Sequence, residues 1–271
     1  MIVVTGATGN VGRTLVRLLL EAGEQVTAVA RTITDVPEGV QAVAADLAEP
    51  DTLAPALNDA DALFLLVAGD DPEGLIGQAK AAGVRRVVLL STQGVGTRPV
   101  AYEHAARFEA AVAGSGLEWT VLRSGGMDSN AFAWAEPIRA HRTAAAPFAD
   151  VGLPFIDPDD VAAVGAAVLR ESGHDNATYV LTGPAPTTPR LRAEAIADAL
   201  GETVRFVEQT REEAHAQMSQ FMPLPVVEGT LSILGDPTDD ERQVSPDVER
   251  VLGRAPGTFA AWAARNAATF R

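Results

Sequence analysis

Gly6, Gly9 and Gly12, in the run Gly6-Ala7-Thr8-Gly9-Asn10-Val11-Gly12, have the residue type and spacing to hold the pyrophosphate of a dinucleotide. Glycine opens backbone angles closed to other residues and removes the side chain that would keep a phosphate off the main chain. Gly6 reads as the tight turn, Gly9 as the point of close approach and Gly12 as the place where a helix packs on a sheet. Thr8, Gly9, Asn10 and Val11 then offer backbone N–H groups where a helix opens and its dipole favours an anion. The spacing is G-x-x-G-x-x-G, not G-x-G-x-x-G. Arg31 ends the next apolar stretch, where such folds read the adenosine ribose. An arginine there neutralises the 2′-phosphate of NADP, so NADP(H) is favoured over NAD(H). The alternative is a solvated surface arginine, with Asp35 nearby. Asp46-Leu47 is placed to meet the adenine edge; alternatively Asp46 caps the helix through Leu53 and Leu57.

The elements that must position these groups alternate along the first 125 residues. Strand-like segments fall at 2 to 5, 25 to 30, 41 to 45, 61 to 67, 84 to 91 and 118 to 123, with helical patterns between them. Leu63-Phe64-Leu65-Leu66-Val67 and Val87-Val88-Leu89-Leu90 are apolar throughout, as strands buried on both faces are. This predicts an α/β, Rossmann-type doubly wound parallel sheet. Past Arg123 the pattern loosens. Asp157-Pro158 opens a helix striped by Val161, Val164, Val168 and Leu169, residues 178 to 182 and 203 to 207 read as strands, and 191 to 200 as a helix. The expected division is a dinucleotide-binding core over residues 1–127 and a mixed segment over 128–271. In the latter, about 155–182 completes the core, while about 128–154 and 183–271 form a smaller, discontinuous substrate cap.

Ligands of open α/β sheets lie at the carboxyl ends of the strands. Val67 and Ala68 after the fourth strand, and Ser91 and Thr92 closing the fifth, are therefore expected at the cofactor, the last two beside the nicotinamide. Asn130, Phe132 and Trp134, leaving the sixth strand, are candidates to border a substrate. Met218, Phe221 and Met222 offer an apolar wall or plain packing. Phe259, Trp262 and Phe270 read as core, and the acidic stretch Asp236 to Glu241 as a solvated loop.

Composition narrows the classes. A formal net charge of −15 argues against nucleic acid and anionic membrane surfaces as partners. With no cysteine there is no disulfide and no thiolate nucleophile. The four histidines lack metal-ligand spacing, so no metal site is expected. The first strand begins at once and the longest apolar run, Ala60 to Ala68, is too short to span a bilayer, which predicts a soluble cytoplasmic protein.

The glycine run, Glu118-Trp119-Thr120-Val121-Leu122-Arg123 with Asn130, Phe155-Ile156-Asp157-Pro158-Asp159-Asp160-Val161-Ala162 and Tyr179-Val180-Leu181-Thr182-Gly183-Pro184 together resemble the NmrA-like atypical short-chain dehydrogenase/reductases. The resemblance spans essentially the whole chain. It implies an NAD(P)H-binding scaffold whose members include quinone reductases, enzymes of natural-product intermediates and redox sensors. Active members use a serine after the fifth strand, a tyrosine about a dozen positions on and a lysine four beyond the tyrosine, which lowers the phenol's pKa. Ser91 and Tyr102 fit that pattern, but Ala106 stands where the lysine belongs. His104 and Glu109 are similar to the histidine-to-glutamate pattern of the quinone-reductase-like members, so His104 is a second candidate proton donor; a histidine half-buried against Phe108 and Val112 is the alternative.

The expected function is hydride transfer from NADPH to a quinone, enone or carbonyl of a small apolar molecule, by a monomer or homodimer. Quinone reduction needs little from a proton donor, so loss of the lysine does not exclude an enzyme. Two other readings remain: a non-catalytic NADP(H) sensor, and redox-neutral chemistry on a sugar nucleotide or biosynthetic intermediate with NAD(P) bound.

Overall fold

A computed structural model describes residues 1–33 and 36–271. The fully buried β1 (Ile2–Thr5) runs through the glycine turn into α1 (Asn10–Glu21). β2 (Val26–Ala30), β3 (Gln41–Ala44), β4 (Ala62–Leu66), α2 (Pro72–Ala81) and β5 (Arg86–Thr92) follow. Next come the short α3 (Gly94–Thr97), then α4 (Glu103–Ala113), β6 (Glu118–Ser124), α5 (Ala135–His141), β7 (Thr143–Pro147), α6 (Pro158–Arg170) and β8 (Ala177–Leu181). The chain continues through α7 (Pro189–Leu200), β9 (Arg205–Gln209), α8 (Arg211–Met218), α9 (Leu224–Gly235), α10 (Asp239–Arg242), α11 (Asp247–Leu252) and α12 (Phe259–Asn266).

Seven of these strands form one parallel sheet in the order β3-β2-β1-β4-β5-β6-β8, a Rossmann-type doubly wound arrangement. Successive side chains of a strand point to opposite faces. Val4, Phe64, Val88 and Leu122 therefore pack under α1 and α6, while Val3, Leu65, Leu89 and Val121 pack under α2 and α4. Among the described residues no helix is long and apolar enough to cross a membrane.

A third core lies beyond the sheet's carboxyl edge, where Trp134, Ile138, Ile196, Phe259, Trp262 and Phe270 interlock. Against it lies a second, two-stranded parallel sheet of β7 and β9, from Thr143 opposite Arg205 to Pro147 opposite Gln209. Sequence reading misses β7, because Thr143-Ala144-Ala145-Ala146-Pro147 is rich in alanine, a helix former, and is a strand only through its pairing. One part of the expected cap belongs elsewhere. α11 lies against α6 and β8, with Val248 buried in the core of the large sheet.

The cap is fastened to the core at the N-terminus of α6. Asp157 accepts from the Asp159 amide at 3.0 Å, the helix cap its position predicts, and also pairs with Arg265 of α12. Asp160 accepts from the Gly257 amide at 2.6 Å and pairs with Arg254 at 2.7 Å. Beside them Asp128 is fully buried, and neither of its carboxyl oxygens has a hydrogen-bond partner. Burial, with the neighbouring Asp157 charge adding to it, pushes this carboxyl up to about 7.

An unfolded aspartate titrates near 3.9, so between about pH 4 and 7 the native protein keeps a proton that the unfolded chain gives up. The associated stability is complete below about pH 4 and is lost as the pH rises to about 7, at most about 4 kcal/mol. Asp128→Asn removes the titration. Melting curves should therefore show the variant's stability relative to wild type rising from pH 4 to pH 8; parallel pH profiles would refute this account.

Candidate functional site

The turn after β1 is built around atoms that leave no room for side chains. Gly6 has φ of +63°, and a Cβ there would lie 2.2 Å from Leu66 Cδ1. A Cβ on Gly12 would lie 2.1 Å from the Gly6 carbonyl oxygen, so Gly12 sets α1 against the turn itself rather than against the sheet. The Thr5 hydroxyl donates to the Phe64 carbonyl at 2.9 Å and accepts from the Leu66 amide at 3.0 Å, which locks the turn to the exit of β4. Gly9 occupies the N-cap of α1 with no side chain closing the helix end, and Thr8, Gly9 and Asn10 are exposed. Val11 turns its side chain into the core and leaves only its backbone for a ligand. The Gly9 amide closes the turn on the Gly6 carbonyl at 2.9 Å, and the open amides of Thr8, Asn10 and Val11 fit a diphosphate.

The same edge carries the other expected cofactor residues. Arg31 is exposed immediately after β2. Asp35 lies outside the described residues. Asp46 does not cap the helix Pro50–Leu57, whose N-cap is Glu49. Its carboxylate instead accepts from the Ala48 amide at 3.1 Å, closing its own turn. Leu47 is buried, and Val67 and Ala68 are partly buried at the exit of β4. All sit at the carboxyl ends of β1 to β4, where an extended dinucleotide would run.

Beyond β5 the expectations separate. Strand alternation puts Ser91 on the face of Leu89 and Thr92 on the opposite one. Ser91 is 6% exposed and donates to Glu109 Oε1 at 2.6 Å. Glu109 in turn holds Arg123 through contacts of 2.6 to 3.2 Å. Ser91 is thus part of a buried network under α4 and does not line the cavity at the ends of β5 and β6, whereas Thr92 does. His104 is corrected likewise. Its side chain is 46% exposed, 3.8 Å from Asp70 and edge-on to Phe108, away from the cavity.

Tyr102 lines the cavity. Its hydroxyl lies 3.3 Å from the Thr230 hydroxyl, and burial pushes its phenol above the ordinary value of 10. That is the direction opposite to the one an activating lysine would give.

The cavity holds about 490 Å³ between the carboxyl ends of β5 and β6 and the cap. Asn130, Trp134 and Met222 line it, together with Met218 and Phe221. Phe132 does not. It sits 5.0 Å from the Trp262 ring and 6.1 Å from that of Phe270, because a 3₁₀ turn of three residues puts Ala131 and Trp134 on one face and residue 132 on another.

Two charged lining residues, Glu241 and Arg192, escaped sequence reading. Glu241, assigned to a solvated loop, is 2% exposed. It caps α10 reciprocally with Thr238 and holds Arg98 at 2.9 and 3.0 Å. The signal was the Thr-x-x-Glu capping box, Thr238 to Glu241. Arg192, on α7, has no comparable signal. Among the described residues no group of three or more His, Cys, Asp or Glu side chains could hold a metal ion.

Residues 6–172 match a family model described as NAD(P)H-binding. The chain is 35% identical to a (4-alkanoyl-5-oxo-2,5-dihydrofuran-3-yl)methyl phosphate reductase of Streptomyces griseus over 100% of this chain and 99% of that one. It is 33% identical to an NAD(P)H azoreductase of Xenophilus azovorans, again over 100% and 99%. An NADPH-dependent quinone oxidoreductase from Escherichia coli, solved with NADPH, has the same fold, with a TM-score of 0.80 at 24% identity over 98% of this chain and 99% of that one. The chain belongs to the NAD(P)H-binding family, as an oxidoreductase.

Proposed function

We propose that the protein uses NADPH to reduce a conjugated, electron-poor acceptor, a quinone, enone or carbonyl, on a small molecule with an apolar body. The observation that carries this reading is the cavity at the ends of β5 and β6. It adjoins the strand edge that bears the glycine turn, and the cap walls it with Met218, Phe221 and Met222. The activities for which these relatives are named, azo reduction and reduction of an acyl dihydrofuranone, share that acceptor chemistry.

When bound, the dihydronicotinamide supplies the hydride. The chain's own contribution is positioning. The open amides of Thr8, Asn10 and Val11 hold the diphosphate and Arg31 reads the 2′-phosphate. Thr92 and Asn130 border the reacting end, and the cap walls the acceptor's apolar body. With Ala106 in place of a lysine and the Tyr102 phenol raised, the product's proton comes from solvent, which a reduced quinone tolerates.

An acceptor screen tests this reading: loss of NADPH absorbance with quinones or enones supports it, and tight NADPH binding with no turnover of any acceptor overturns it in favour of a redox sensor. In titrations of both cofactors, Arg31→Ala should weaken NADPH by about 10- to 100-fold, as for a charge-assisted contact worth roughly 1.5–3 kcal/mol. NADH affinity should not move; equal losses for the two would refute the 2′-phosphate role. Tyr102→Phe should leave quinone turnover within about twofold of wild type, whereas removal of a working general acid costs about 100-fold or more.

A further inference from the structure

Arg192 stands in the first turns of α7 with its side chain in the cavity wall and is 5% exposed. Its guanidinium carbon lies 3.8 Å from the Phe155 ring centroid and 5.7 Å from that of Trp134, both cavity-lining rings. Stacking on aromatic faces satisfies the planes of a guanidinium and leaves its N–H groups, which lie in the plane, to find acceptors. The buried Nε has none.

Arg98 of the core is paired with Glu241, and among the cap's arginines Arg190 is paired with Asp150, Arg254 with Asp160 and Arg265 with Asp157. Asp128 is the acid whose charge acts on Arg192, yet both of its carboxyl oxygens lack a hydrogen-bond partner, so the two groups do not bond. Glu241, the acid in the cavity wall, is taken up by Arg98 and by the Thr238 amide at 2.8 Å. Burial lowers the guanidinium only to about 10, which leaves it charged at neutral pH.

A buried cation without a bonded anion is costly, and a cavity-facing position lets a ligand supply the missing partner. We propose that the substrate carries an anionic oxygen group, a phosphate ester or a carboxylate, and that Arg192 anchors it within the cavity. The forked donor matches two oxygens of either group, fixing the substrate's orientation as well as its place. The apolar walls then take the body of the molecule, and the anchored end sets which carbon faces the ends of β5 and β6.

This inference rests on the reductase reading, and the experiment separates the two. Protein saturated with NADP⁺, so that the diphosphate site is blocked, is titrated calorimetrically with phenyl phosphate, benzoate and benzyl alcohol. Phenyl phosphate or benzoate should bind at least about tenfold more tightly than the alcohol, and whichever is the tighter names the group. Arg192→Met should erase the difference, and Arg192→Lys, which keeps a charge but not the fork, should retain part of it.

In turnover, wild type should prefer 1,4-naphthoquinone-2-sulfonate over 2-methyl-1,4-naphthoquinone through KM. Arg192→Met should abolish that preference by raising KM for the sulfonate more than for the methyl quinone. Anions that bind no more tightly than the alcohol, or equal losses for both quinones, would overturn the proposal. If the methionine variant does not fold, the lysine variant decides: unchanged affinities for all three titrants refute the anchor. Anion binding that depends on Arg192, with no turnover of any acceptor, would leave the anchor standing and remove the reductase reading.

Discussion

The contact between α1 and the turn before it sets the geometry of much else in the molecule. Gly12 lets the helix come so close to the Gly6 carbonyl that a single carbon would not fit between them. This closeness fixes the axis of α1, and with it the direction in which the open helix end points. α6 packs along α1, with Gly165 at a position where a Cβ would lie 3.3 Å from Phe64 and 3.7 Å from Leu15. The N-terminus of α6 in turn carries Asp157 and Asp160, to which the last helix and the loop before it are tied. The cap, and so the cavity, inherits its placement from a glycine more than a hundred residues earlier.

Charge is distributed unevenly in this acidic chain. Where carboxylates are buried they are mostly satisfied locally: Glu241 by Arg98, Asp157 by Arg265 and Asp160 by Arg254. Two groups depart from that economy, Asp128 and Arg192, and they lie close enough for each to act on the other's charge without bonding. A buried carboxyl that tends to keep its proton weakens the attraction on the guanidinium, leaving a positive site inside a protein of strongly negative net charge. Attraction of an anion to this site is local, since over a Debye length of about 8 Å at physiological salt the overall repulsion is screened.

The sheet was legible because strands buried on both faces must be apolar throughout, and the turn because Gly6 needs a conformation other residues resist. Strand alternation was equally available in the letters and would have put Ser91 with Leu89 under α4, had it been carried to the end of β5. Phe132 misled because a 3₁₀ turn advances 120° per residue, so neighbouring candidates face apart. β7 was illegible in principle: its alanines favour a helix and only β9, about sixty residues later, makes them a strand. Arg192 is a lone letter in a helix whose exposed positions include the charged Arg190, Glu194 and Asp198, and nothing in a single sequence marks it as buried.

The tie between Asp157 and Arg265 spans 108 residues, whereas the glycine turn is made by contacts within the first few elements. Loops close more slowly the farther apart their ends lie along the chain. The wall of the acceptor cavity is thus held by the longer closure and the turn by shorter ones, and the longer closure costs more chain entropy. A dinucleotide held at the turn would stabilise the folded chain by mass action through the part of the molecule whose closure costs least.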